Sequence, residues 1–181
     1  MDSSHLRRIF ALLRTALFAL LFMGTVGIYL PHYLGLLNEP VHITGGRGTG
    51  VLLLLLGAYI ALRSAFSFAW IGQGTPFPLD PPRHLVVTGL YRHVRNPMYT
   101  GMAFFLIGEW LMFGSNLRGA LIYFALYAVA VTLFVHLYEE PTLRRKFPDE
   151  YAEYFRNVPR FIPRFDPWDP PQTKSATPSR S

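Results

Sequence analysis

The chain has 181 residues, of which 51% are hydrophobic and 15% charged, with a formal net charge of +6. A soluble domain of this length carries about a quarter charged residues, so an ordinary water-soluble globule is a poor match, and the absence of cysteine excludes disulfides and thiolate metal sites. The positive balance does not call for nucleic acid, because basic loops beside anionic lipid account for it in a membrane protein.

Taken in chain order, four apolar runs are long enough, or nearly so, to cross a bilayer, which needs roughly 20 residues of helix. They cover residues 9–30, 50–71, 99–114 and 117–138. The first resembles a signal peptide, but it exceeds the usual apolar core of one and no A-x-A-like cleavage site follows, so it reads as a retained span. The predicted fold class is an all-α integral membrane protein with four transmembrane helices. Residues 1–165 form the domain and residues 166–181 a polar, Pro-rich tail expected to be disordered. Thirteen of the 17 basic residues fall on one side of this arrangement and two, Arg47 and Arg118, on the other. That asymmetry predicts a multi-pass topology with both termini in the cytosol. The connection at Ser115–Asn116 is tight enough to make the last two runs an antiparallel hairpin.

Three charged residues lie well inside the runs, away from their ends. Arg14 is about 9 Å from the cytosolic edge, within reach of snorkelling. Arg63 lies about 12 Å from its cytosolic helix end and Glu109 about 16 Å from its own. The matched depths predict that Arg63 and Glu109 pair, since an unpaired charge there is costly.

The cytosolic connection between the second and third runs is dense in functional groups. Pro76, Pro78, Pro81 and Pro82 prevent a regular helix in its first half. A turn is expected at Gly89. Arg92, His93, Arg95 and Asn96 then precede Pro97, which suits the first turn of a helix. A basic helix start is a good anion site through its free backbone N–H groups and its dipole. Gly101 would let another group approach the backbone closely. The fourth run ends in Tyr138-Glu139-Glu140-Pro141. Acids at the negative end of a helix need a cation, either Arg92, Arg95 or Arg144 of the chain or one on a ligand. Residues 142–158 repeat aromatic and apolar side chains every three or four positions, and read as an amphipathic helix on the membrane surface. No phosphate loop, no GxGxxG fingerprint and no metal-ligand cluster is apparent.

At this point the residues resemble a family. GLYRHVRNPMYTG is similar to the G-x-Y-R-x-x-R-H-P-x-Y-x-G motif of the isoprenylcysteine carboxyl methyltransferase and phospholipid methyltransferase superfamily. EEPTLRRKFPDEYAEYFRNVPRFIP resembles its second signature, an acidic pair followed by a surface helix and V-P-R-x-I-P. Together the two cover residues 72–165 in the family's order. The resemblance implies S-adenosyl-L-methionine as cofactor, enclosed by the cytosolic loop, the ends of the third and fourth helices and the C-terminal amphipathic segment. Carried over, the cofactor-binding residues are His84, Leu85, Val86, Tyr91, Arg95, Asn96, Pro97, Met98, Tyr99, Glu139 and Glu140, with Asn96 and Glu140 as the catalytic candidates. The chemistry is compatible: the basic helix start suits the cofactor's carboxylate, a glutamate suits its ammonium or ribose, and tyrosine faces suit adenine or the sulfonium. The implied function is methyl transfer to a hydrophobic or lipid-like acceptor at the cytosolic face.

Three positions depart from the family pattern. Asn96 stands where histidine is usual, so a titrating base there is excluded. Pro148 replaces a glycine. Val135 occupies the place of an arginine that holds the substrate carboxylate in prenylcysteine-specific members, which puts an amine or thiol acceptor on at least an equal footing. Two other classes stay open on the sequence: an NADPH-dependent membrane reductase, and a non-enzymatic scaffold or transporter built around Arg63 and Glu109.

Overall fold

A computed structural model describes residues 3–37, 46–73, 82–114 and 116–170, and every regular element among them is helical. The first helix, α1 (Ser3–Phe22), widens into a π-helical stretch (Met23–Tyr29) and closes with a turn over Leu30–Tyr33. α2 spans Gly46–Trp70 and α3 spans Pro97–Phe113. α4 (Leu117–Phe134) passes through a second π-helical stretch (Val135–Glu139) directly into α5 (Glu140–Lys146). α6 (Pro148–Asn157) follows a break at Phe147, and the chain then runs extended.

Three helical stretches, Ile9–Tyr33, Gly48–Trp70 and Leu117–Lys146, are long and apolar enough to cross a membrane. They turn large apolar side chains outward, among them Leu20, Leu52, Leu62 and Leu126, as lipid contact requires. α3, at 17 residues, is shorter than these three. The expected bounds of the last run need correction. Its helix does not stop at Tyr138 but continues through the glutamates to Lys146, so the amphipathic segment is two pieces, α5 prolonging the long helix and α6 turning away from it. The reason lies in Pro141. A proline inside a helix has no N–H and crowds the carbonyl four residues back, and a π-turn just ahead relieves the crowding without ending the helix. Both π stretches stop two residues before a proline, Pro31 in one case and Pro141 in the other. The two glutamates are therefore mid-helix, and the argument from an unfavourable helix end does not apply to them.

The tightest packing is between α2 and α3, which run antiparallel with backbone against backbone. A Cβ on Gly101 would lie 2.6 Å from Ala61 N and 2.8 Å from Gly57 O, and one on Gly108 would lie 2.7 Å from Gly50 O. Small residues let membrane helices approach this closely. What approaches Gly101 is thus the neighbouring helix. This register also separates Arg63 from Glu109. Gly57 faces Gly101 and Gly50 faces Gly108, so Arg63 lies opposite position 95 and the two charges stand about fourteen residues, or ~21 Å, apart along the helices. Arg63 donates to Ser67 Oγ at 2.6 Å instead. Glu109 is buried beside Leu36, Trp110 and Tyr123. The matched depths failed because α2 overshoots the start of α3 by more than a turn.

α4 is joined to α3 by a short link, with Asn116 Oδ1 accepting from Gly119 N at 2.9 Å as the cap of α4. The two helices diverge from this hinge, leaving a groove of about 580 Å³ between them. Tyr127 spans the gap, its hydroxyl donating to Tyr99 O at 2.9 Å. Residues 74–81, with three of the loop prolines, and the tail from residue 171 lie outside the described residues. Within the region read as tail, Trp168 packs on Tyr154 with ring centroids 6.0 Å apart, and Arg92 pairs with Asp169.

Candidate active site

One end of the helix bundle carries the polar residues. The 3₁₀ turn Gly89–Arg92 begins at Gly89, whose φ of +56° is the left-handed conformation that glycine alone adopts cheaply. The turn delivers Tyr91 into the interior. Its hydroxyl donates to Ser64 O of α2 at 3.4 Å and its carbonyl accepts from Tyr154 at 2.7 Å. Burial pushes the Tyr91 phenol well above its ordinary range, with Glu139 adding to the effect, so Tyr91 stays neutral. Six residues after Tyr91, Pro97 starts α3 with Asn96 at the cap position; no described side chain caps the helix, and the amides of Met98 and Tyr99 have no intrahelical partner.

The chain after α6 forms a strap, residues 158–169, laid along residues 92–96. Arg95 N donates to Pro159 O at 2.8 Å, Asn96 N to Arg160 O at 3.2 Å, Arg164 N to His93 O at 3.0 Å and Trp168 N to Arg92 O at 3.0 Å. Asn96 reinforces the join, its Nδ2 donating to Arg160 O at 3.1 Å. Thr100 on the first turn of α3 donates to Phe161 O at 3.3 Å. Tyr151 and Tyr154 of α6 and Val158 at the start of the strap pack against Leu85, Val87 and Trp168.

The two glutamates divide the work. Glu140, 5% exposed, accepts from Arg160 Nε at 2.9 Å and Nη2 at 2.8 Å, and lies 3.3 Å from Arg95 Nη2. Glu139 accepts from the Tyr99 hydroxyl at 3.2 Å. Adjacent residues on a helix point about 100° apart, so only Glu139 reaches the cavity lined by Phe68, Tyr91, Arg95, Asn96, Met98 and Tyr99. That cavity is about 20 Å³ among the described residues, room for a water.

Arg95 is the unusual member. Its side chain is 7% exposed, its guanidinium sits 4.0 Å from the centroid of the Phe155 ring, and its Nε and Nη1 are buried with no hydrogen-bond acceptor among the described residues. Burial lowers its pKa, yet an arginine keeps its charge. Buried donors without partners are rare and costly. Two arginines share the carboxylate of Glu140, which Arg95 meets at one nitrogen. The donor set suits a carboxylate bound at Arg95 with a cationic or hydroxyl group at Glu139.

Of the residues singled out in the sequence, Tyr91, Arg95, Asn96, Met98, Tyr99 and Glu139 share this cavity, and Pro97 is buried at its edge. His84 is exposed, Leu85 faces the aromatic cluster of α6, and Val86 is buried beside Gly72. Glu140 faces Arg160 and not the cavity. Sequence reasoning missed Phe68, hidden in an apolar run, and Arg160. Arg160 stands in the V-P-R-x-I-P signature, whose arginine was the available signal.

The helices and this cluster define a multi-pass, all-helical membrane protein with a polar site at one end of its bundle. No curated protein and no solved structure matches the chain. The phospholipid methyltransferase family matches residues 47–150, more than half of the length, and the chain belongs to that family. It is a membrane methyltransferase.

Proposed function

We propose that this methyltransferase uses S-adenosyl-L-methionine and acts on a lipid-like acceptor that arrives from within the bilayer. The carrying observation is Arg95, buried with two unused N–H groups in the cavity that Glu139 also lines. A carboxylate at Arg95 satisfies those donors. Glu139 accepts from the ammonium or a ribose hydroxyl, held in place by Tyr99. Met98 and Tyr99 offer free amides at the start of α3, and the faces of Tyr91 and Tyr99 suit a sulfonium. Bound there, the cofactor supplies an electrophilic methyl group. What the chain contributes is positioning and exclusion of water, which suffice for an in-line displacement without a nucleophilic triad. Admitting a nucleoside requires the cavity to widen.

In this reading α3 is a fourth crossing, and both termini lie on the site's side of the membrane, the cytosol. Asn96 anchors the strap and borders the reacting centre. Glu140 holds Arg95 in place without touching the reactants. The acceptor route is the groove between α3 and α4. Tyr99 lines both groove and cavity, joining the two. The groove's other walls, including Ala103, Ile107, Phe124, Ala128 and Val131, are apolar, and its volume suits one elongated hydrophobic ligand. Val135 is fully buried, with no cation to hold an acceptor carboxylate at that position, which favours an amine or thiol acceptor.

Calorimetry on the detergent-solubilised protein tests the reading, with S-adenosylhomocysteine and NADPH as separate titrants. The expected result is saturable binding of the first alone. A folded protein that ignores S-adenosylhomocysteine ends the proposal, and one that binds NADPH instead makes it a reductase. Supplying a methyl-labelled cofactor to membranes then identifies the acceptor by the lipid fraction that acquires label.

A further inference from the structure

The strap carries two large apolar side chains that none of the described residues covers. Ile162 is 81% exposed and Phe165 is 98% exposed, the most exposed of the chain's large hydrophobic residues among those described. α6, just before the strap, behaves differently and turns Asp149, Glu150, Glu153 and Arg156 to the surface. The contrast between a polar helix and an apolar strap at the same end of the molecule calls for two different surroundings.

The height of the strap says what one of them is. Phe161 accepts from Thr100 on the first turn of α3 and lines the mouth of the groove with Val131 and Thr132. Phe134 meets Tyr99 with ring centroids 6.5 Å apart, so this part of the long helix is level with the same turn. Its neighbours Leu133 and Leu137 are 51% and 68% exposed, as lipid-facing side chains are. Ile162 and Phe165 therefore continue an apolar belt that already exists on the helices. Pro163 and Pro167 keep the strap from coiling into a helix.

We propose that Ile162 and Phe165 seat the strap in the interfacial layer of the leaflet on the site's side, so that one wall of the site is anchored in lipid beside the groove mouth. Uncovered apolar patches of this kind mark membrane contact, and the occupant here is the bilayer. The inference rests on α3 and α4 crossing the membrane, and it stands whether or not the cofactor reading is right.

Because the chain has no cysteine, single spin labels can be placed at Ile162→Cys and Phe165→Cys in phosphatidylcholine proteoliposomes. Asp149→Cys on α6 serves as the water reference and Leu126→Cys on α4 as the lipid reference. Both test positions are exposed, and unchanged helical circular dichroism certifies each variant. The expected result is that both labels collide with oxygen more than with a water-soluble nickel chelate, as at position 126. Labels as open to nickel as position 149 overturn the proposal. So do labels shielded from both agents with immobilised spectra, which would mean that a second copy covers the patch.

Discussion

Arg160 grips Glu140 through two parallel hydrogen bonds, 2.9 and 2.8 Å long, across 20 residues of chain. The pair ties the strap to the end of the long helix, and it occupies both oxygens of Glu140. Arg95 consequently touches that carboxylate at one nitrogen only and keeps its other donors. Lysine presents a point charge and no fork. Arg160→Lys should therefore let Glu140 turn towards Arg95. The expected outcome is a roughly tenfold loss of S-adenosylhomocysteine affinity, equivalent to about 1.4 kcal/mol, read by calorimetry. Unchanged affinity would show that Arg95 does not depend on this grip.

The two glutamates should separate cleanly by mutation. Glu140→Gln leaves the buried Arg95 and the half-buried Arg160 with a neutral partner, and breaking a buried pair costs about 3 kcal/mol. It should lower the thermal midpoint strongly in detergent. Glu139→Gln changes a carboxylate whose hydrogen bond among the described residues is from Tyr99. It should leave the midpoint nearly unchanged while weakening S-adenosylhomocysteine about tenfold or more. The opposite ranking in both measurements would reverse the assigned roles.

The contact between α2 and α3 should tolerate no side chain. At Gly101 a Cβ would meet backbone atoms of α2 at 2.6 and 2.8 Å, and backbone does not move aside as a side-chain tip does. Gly101→Ala should destabilise by about 2 kcal/mol, the scale of overpacking in a close-packed interior. Gly48, with nothing within 4 Å of its would-be Cβ, is the control, and Gly48→Ala should be neutral or slightly stabilising. Thermal unfolding of the two variants side by side checks this.

Filling the groove should affect the acceptor and spare the cofactor. Ala128→Trp places an indole in the 580 Å³ space between α3 and α4. Methyl transfer to long-chain acceptors is expected to fall about tenfold, the effect of a few methylene contacts. Affinity for S-adenosylhomocysteine should not change. If turnover survives the indole intact, the acceptor enters elsewhere.

Much of the fold was legible because hydropathy reports directly on the solvent a helix needs. The apolar runs became helices, and the segment before Pro97 met the twin glutamates at one end of the bundle, as their motifs implied. What escaped depended on register and rotation. Arg63 and Glu109 looked level only while the ends of α2 and α3 were taken as flush. His84 and Leu85 fell near the motif in sequence yet face water and the α6 cluster. The helix end expected after Tyr138 was absorbed by a π-turn, a device with no compositional mark beyond the proline that follows.

By itself the sequence determined the chain's environment, its helical character and the family motifs, because these follow from local composition and from residues close together along the chain. Only the tertiary structure decided that Glu139 opens on the cavity while Glu140 is held by Arg160, and that Arg95 is left with donors to spare. The physical reason is angular. Neighbours on a helix diverge by about 100°, so two identical side chains side by side in sequence meet different partners, and which partners those are is set by segments folded in from elsewhere.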